Sequence, residues 1–183
     1  MMLPTLTGTR VVLRPLVKAD APRLAAIVND PSVSRTLRAN GRVSVAAQEL
    51  FIDSLATAPA DLVLGVAAAS DGRLLGAAGL HHLDDPARKA ELGIFLGPPP
   101  EWGHGHGTEA VALLLRHAFE DLRLHRVWLH VHADHDRALR VYERLGFRRE
   151  GLLRDSGRRT DGFVDVVSMG ILADEWAAGR APG

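Results

Sequence analysis

The sequence predicts a mixed α/β fold built around one sheet. Three observations carry that prediction. Short apolar runs bounded by turn residues alternate with stretches whose apolar residues recur at helical spacing. Their order along the chain reads β-α-α-β-β-β-α-β-α-β-β. No internal repeat or low-complexity tract divides the 183 residues, so 1–183 is taken as one domain, long enough for a sizeable core.

The first strand is expected over Arg10 to Leu16, with Val11 and Leu13 on one side. Asp20 and Pro22 then signal a helix start, and Leu24, Ile27 and Val28 form its apolar stripe. A second helix is expected from Ser44 to about Ala56, carrying Val45, Leu50, Phe51 and Leu55. DLVLGVAAA (61–69) is rich in strand formers, Ser70-Asp71-Gly72 is a turn, and RLLGAAGLHH (73–82) returns as the partner of a hairpin. KAELGIFL (89–96) is the next strand, stopped by Pro98-Pro99-Pro100. After the loop EWGHGHGTEA, residues Val111, Leu114, Leu115, Ala118 and Leu122 mark a helix. HRVWLHV (125–131) is a strand, and Asp134 or Asp136 is the expected cap of the following helix, which Gly146 ends. FRREGLLR (147–154) and GFVDVVSMGIL (162–172) are the last strands, followed by a helix end and a tail (173–183).

Composition narrows the function. Lys plus Arg and Asp plus Glu are 22 each, which gives no general attraction to nucleic acid or to an anionic membrane. Cysteine is absent, so disulfides, thiolate metal sites and a cysteine nucleophile are excluded. No apolar run reaches the roughly 18 residues of a membrane helix. MMLPTLTGTR lacks the pattern of a signal peptide, and a cytoplasmic address is expected.

Trp102-Gly103-His104-Gly105-His106-Gly107 leaves a strand and opens a helix. Alternate glycines permit close backbone approach, and the first helical turn offers unpaired amides with a partial positive charge. Together these make a phosphate cradle that needs no basic side chain. A structural glycine turn is the alternative. Gly105-x-Gly107-x-x-Ala110 does not suit a dinucleotide fold, because a hairpin precedes it and Glu120 and Asp121 end the helix instead of a strand. No Gly-Lys-Ser/Thr follows, so a nucleoside-triphosphate loop fails too.

With this loop, the block ADHDRALRVYERLGF (133–147) and the segments TLTGTRVVLRPLVKADAPRLAAI, AELGIFLGPPPEWGHGHGTEA and GFVDVVSMGIL, the chain resembles the GNAT (Gcn5-related) N-acetyltransferases over nearly its whole length. The likeness is strongest to the RimJ/RimL-like branch, which acetylates protein N-termini and other primary amines. The resemblance implies a single mixed-sheet acyltransferase domain using acetyl-CoA. It places the pyrophosphate on the backbone of Gly103, His104, Gly105, His106, Gly107 and Thr108. It runs the pantetheine arm along the strand edge at Phe95, Leu96 and Gly97. The family loop usually begins with Gln or Arg, where this chain has Trp102.

The chemistry asks for a base, since primary amines are mostly protonated at neutral pH. Glu91 holds the position of a catalytic glutamate in several family members, while a structural glutamate is the alternative. Leu92, Ile94 and Leu96 alternate with Glu91, Gly93 and Phe95 and so face the other side. Tyr142, the chain's one tyrosine, stands where the family places the acid that protonates the departing thiolate. A core aromatic is the alternative.

HVHADH (130–135) also spells the metal motif of the metallo-β-lactamases. His130 and His132 share a strand face, and His135 lies past the strand end. Only 48 residues follow His135, too few for the second half of that fold and its ligands, so no metal is expected. In the resemblance His135 takes the place of an asparagine that contacts pantetheine or orders the turn. His81 and His82 are read either as acceptor lining or as a polar strand terminus. The run RREGLLRDSGRR (148–159) reads as a solvated surface, with attraction of an acidic acceptor or of the CoA 3′-phosphate as the alternative.

The function expected is acetyl transfer to a primary amine, either a peptide N-terminus or a small molecule, by direct attack on the thioester. A non-catalytic acyl-CoA-binding domain is the second reading and a zinc hydrolase the third. The resemblance is compatible with a homodimer, which the sequence itself does not show.

Overall fold

The computed structural model describes residues 3–37, 42–159 and 161–179. The expected tail from 180 onward, Thr160 between the last two expected strands and the first two residues lie outside the described part.

Eight strands form one sheet: β1 (Leu6–Thr7), β2 (Val11–Pro15), β3 (Leu62–Ala68), β4 (Leu74–His81), β5 (Lys89–Leu96), β6 (Arg126–His132), β7 (Arg148–Arg159) and β8 (Gly162–Leu172). Their spatial order is β1-β2-β3-β4-β5-β6-β8-β7. Among the described residues only β5 and β6 run parallel. Such a pair needs a crossover connection, and here it is α4 (His106–Arg116) with a π-helical turn at His117–Asp121. The other helices are α1 (Ala21–Asn29), α2 (Pro31–Ser34), α3 (Val45–Leu55), α5 (Asp136–Arg144) and α6 (Ala173–Ala178).

Strand alternation sends side chains to two cores. Val11, Leu64, Leu80, Leu92, Val127, Leu129 and Met169 face α4 and α5 and meet Val111, Leu114, Leu139 and Tyr142. Leu16, Val63, Leu74 and Ala77 face the other way and meet Leu24 of α1 with Ile52 and Leu55 of α3. Fully buried side chains such as Leu114, Leu129 and Met169 each contribute roughly 1.5–3 kcal/mol by leaving water. The α4 core is the larger and fixes where α4 begins. Arg14 on β2 grips the buried Asp20 through two hydrogen bonds of 2.8 and 2.9 Å, and Asp20 also accepts the Val17 amide. Asp20 therefore clamps the turn entering α1.

Three sequence expectations need correction. On α3 the structure buries Gln48, Ile52 and Leu55 and exposes Val45, Leu50 and Phe51, with Leu50 71% exposed. Residues 48, 52 and 55 share one helical face, Leu50 projects away from it, and Phe51 lies at the edge of that face and stays half-exposed. Neither Asp134 nor Asp136 caps α5. His135 occupies the cap position without a side-chain bond, because Asp134 is taken by Arg159 through bonds of 2.7 and 2.6 Å. Finally, β7 continues to Arg159, past the expected end at 154, held by pairing to β8 around a bulge between Leu153 and Gly157.

Candidate active site

The two parallel strands pair only over Lys89–Glu91 against Arg126–Trp128 and then part. β5 runs on to Leu96 bonded to β4 alone. Gly97 donates its amide to the Leu75 carbonyl at 2.6 Å, so that group is engaged with β4. By the alternation of an antiparallel ladder, Phe95 also bonds toward β4, while Ile94 and Leu96 turn their amides and carbonyls toward the opening. The free edge thus belongs to Ile94 and Leu96, not to Phe95 and Gly97 as the resemblance implied.

A cleft of about 1000 Å³ opens there. Ile94, Phe95 and Leu96 form one wall, the glycine loop and the start of α4 a second, and one side of α5 a third. Val33 of α2 and Thr36 close it from the side of the first helices. Gly103 and Gly105 have φ of +88° and +80°, a region that favours glycine. α4 starts at His106, inside the glycine loop, with Gly105 at its cap position, so the amides of its first turn face the cleft. Within this wall the Nδ1 atom of His106 is buried without a partner. His104 is exposed and points instead to the Pro100 carbonyl, 3.1 Å away.

Tyr142 lines the cleft from α5, edge-on to Phe147 at 5.7 Å. Burial pushes its phenol up to about 12. His135 lines the same cleft at the start of α5, and burial holds its ring below the usual histidine range, with Asp134 opposing the shift. Of the residues singled out from sequence, Phe95, Leu96, Gly103, Gly105, His106, Gly107, Thr108, His135 and Tyr142 all meet in this one cleft.

Glu91 stands apart from it. It is the last paired residue of β5, opposite Trp128, so it marks the vertex where the strands part. Its side chain is on the sheet face opposite to Leu92, and 3.8 Å from Nε2 of His82. On the same face Nδ1 of His81 lies 3.1 Å from Asp61. Trp128 and His130 stack edge to face at 5.1 Å beside the vertex. His132 is buried near Arg159, so the HVHADH histidines point to different surroundings. Among the described residues no group of three His, Asp or Glu could hold a metal ion.

Sequence reading missed two features of the site. Glu109 in the first turn of α4 reaches back to the β1–β2 turn. Its Oε1 accepts the Thr9 amide and hydroxyl at 3.1 and 2.7 Å, and its Oε2 accepts the Arg10 and Val11 amides at 2.7 and 2.8 Å. Burial acts to raise this carboxyl, but the four donors outweigh it and hold the group below the usual range. The clamp lays Arg10 against Gly105, with its Cδ and Nε 3.4 Å from where a Cβ would stand. The second missed feature is Arg137, whose guanidinium covers the Trp102 ring at 5.4 Å and borders Gly103. Its only sequence signal is the recurrence of arginine at 137, 140 and 144.

Comparison with known proteins agrees with this geometry. Residues 10–148 match the family model described as an acetyltransferase (GNAT) domain. The "Uncharacterized N-acetyltransferase p20" of Bacillus licheniformis is 27% identical over 178 residues, covering 96% of this chain and 99% of that protein. The spermidine N(1)-acetyltransferase of Vibrio cholerae serotype O1 is 30% identical over 103 residues, which is 56% of this chain and 59% of that one. A crystal structure of spermidine N-acetyltransferase from Vibrio cholerae, in complex with CoA and spermine, superposes with a TM-score of 0.85. It is 24% identical and covers 93% of this chain and 99% of that one, which shows a common fold. No helix among the described residues is long and apolar enough to cross a membrane. From the matched model, the parted strands and the glycine loop together, the chain belongs to the GNAT family of N-acetyltransferases, in its RimJ/RimL-like branch.

Proposed function

We propose that this enzyme uses acetyl-CoA and transfers the acetyl group to a primary amine by direct attack on the thioester. The observation that carries the reading is the cleft itself. It joins a glycine loop at a helix start, a free strand edge and a buried phenol in one continuous space. The residues present suit such a ligand. The amides of His104 to Thr108 would hold its pyrophosphate. The edge groups of Ile94 and Leu96 would pair with the amides of pantetheine as an added strand would. The unpaired Nδ1 of His106 offers a further polar contact within the wall.

When bound, acetyl-CoA supplies the activated acyl group. The chain supplies the proton handling. Glu91, at the vertex and on the opposite sheet face, takes a proton from the incoming ammonium directly or through water. Asp61 and Glu91 place two carboxylates on that face, which suits a cationic amine. Tyr142 lines the cleft and keeps its proton across the working pH range, because burial pushes it up to about 12. It can therefore donate that proton to a strongly basic thiolate.

The acceptor is a small polyamine-like amine or a peptide N-terminus. The relative named for spermidine favours the first, and the RimJ/RimL-like branch favours the second. The test is an amine panel (spermidine, amino acids, peptides with free N-termini) with release of the CoA thiol and product mass as readouts. Release of thiol with at least one amine is expected. Tight CoA binding without turnover on any amine would leave only the binding-domain reading.

A further inference from the structure

Four side chains form one row across the sheet, on the face opposite α4. Glu91 of β5 stands directly opposite His81 of β4 and opposite Trp128 of β6. Asp61 comes just before β3, whose first residue Leu62 pairs with Leu80, so it continues the row beyond His81. Nδ1 of His81 lies 3.1 Å from Oδ1 of Asp61. The same oxygen accepts the His82 amide at 3.4 Å, which ties Asp61 to the end of β4.

The other side of the imidazole faces the point where β5 and β6 part. Gly93 is the next residue after Glu91 on that face, and it has no side chain. Nε2 and Cδ2 of His81 lie 3.5 and 3.7 Å from where a Gly93 Cβ would stand. A carboxylate beside Nδ1 favours the proton there and leaves the lone pair on Nε2. The backbone supports the arrangement. His82 has φ of +62°, a region that residues other than glycine rarely adopt. That turn lets two consecutive histidines serve one face, since Nε2 of His82 lies 3.8 Å from Glu91. Backbone strain of this kind concentrates at functional sites.

Acetyl transfer makes a demand that one glutamate does not meet. An ammonium nitrogen loses two protons on its way to an amide. The first leaves before attack, when the ammonium becomes an amine. The second leaves after the N–C bond has formed, when the nitrogen again carries positive charge. A carboxylate that holds the first proton has no place for the second until it is discharged.

We propose that His81 is a second base of the reaction, and that Asp61 positions its ring and stabilises the imidazolium. Glu91 takes the first proton, and the amine lone pair forms the N–C bond. Nε2 of His81 takes the second proton as the C–S bond breaks and the sulfur takes the proton of Tyr142. Glu91 and His81 then each release one proton to water, and the Tyr142 phenolate takes one back. One proton is released overall, as the conversion of an ammonium and a thioester to an amide and a thiol requires. The His81 side chain is 35% exposed and that of Glu91 16%, so the imidazolium has the more direct path to solvent. This role deepens the acetyl-transfer reading and rests on it.

The experiment is steady-state kinetics of the full chain with acetyl-CoA and, in parallel, spermidine, free amino acids and a peptide with a free N-terminus. The variants are His81→Ala, His81→Gln and Asp61→Asn, with thermal melts to confirm folding and CoA titrations alongside. His81→Ala should lower kcat about a hundredfold while CoA affinity stays within about twofold. Glutamine can donate toward Asp61 but takes no proton, so His81→Gln should be as slow. Asp61→Asn should show a smaller fall in kcat. Added imidazole should restore turnover of His81→Ala with rising concentration and leave His81→Gln unchanged, which a structural role would not produce. Unchanged kcat at saturating amine, a glutamine variant at full speed, or no response to imidazole would overturn the proposal. A wild type that turns over none of these amines would instead bring down the transfer reading itself, and this role with it.

Discussion

Replacing Glu109 with alanine should unfasten the N-terminal hairpin from the cofactor loop. The carboxylate accepts four bonds from a turn about a hundred positions away in sequence. Thr9 and Arg10 are exposed, so water can replace the carboxylate at their donors. Val11 is fully buried, and its amide is left with no partner. An orphaned buried donor costs about 1–3 kcal/mol, and losing charge-assisted bonds at the other donors adds a smaller amount, so about 2–3 kcal/mol is expected in all. For a chain of this length that corresponds to a fall in Tm of about 4–12 °C.

Glu109→Gln can still accept from Arg10 and Val11 and can donate to the Thr9 hydroxyl, so it should cost only about 1 kcal/mol. The wild-type carboxyl is held below its usual range when folded. Its contribution is therefore full above the unfolded value of about 4.3 and is lost as pH falls through the lower folded value. The gap between wild type and Glu109→Gln should close in acid. Thermal melts from pH 3.5 to 7.5 read both effects. A change below about 1 °C in the alanine variant, or glutamine as harmful as alanine, would refute the reasoning.

Two further outcomes follow from the cleft. Tyr142→Phe should lower kcat about a hundredfold, the scale of general acid catalysis, and leave CoA affinity within about twofold. Unchanged turnover at saturating amine would remove Tyr142 from the chemistry. His135 has a folded value held below the usual 6.5 by burial, so its neutral form favours the fold. That stability is full above pH 6.5 and declines as pH falls toward the folded value. His135→Asn should flatten this acid-side decline in Tm while preserving or improving CoA affinity, and an identical decline in the variant would show that another group titrates.

Some of this architecture is legible in the residues and some is not, for physical reasons. β5 is readable to the residue because Pro98 cannot extend a sheet, and its alternation correctly separates Glu91 from Leu92. The glycine loop is readable because φ of +88° and +80° leaves little choice but glycine. The α3 stripe is not, because Val45, Leu50 and Phe51 compete with Ile52 and Leu55 and only packing against α1 decides between them. The length of β7 is not readable either. An exposed strand held by one neighbour shows no apolar alternation, only the arginine-rich run that resembles loop. Glu109 escapes because its partners lie a hundred positions upstream, a distance at which no local pattern exists.

The parting of β5 and β6 depends on two strands more than 30 residues apart in sequence, and it explains why the site lies where it does. A sheet that stayed paired there would satisfy the amides and carbonyls of Ile94 and Leu96. Leaving them open forgoes about 0.5–1.5 kcal/mol for each hydrogen bond. Among the described residues, the same cleft also holds a buried imidazole nitrogen at His106 without a hydrogen-bond partner. Each feature is a small local loss, and a sequence optimised only for folding would remove them one by one. Their convergence on one cleft suits the acyl-CoA that the family uses, whose pantetheine amides and pyrophosphate would answer them together.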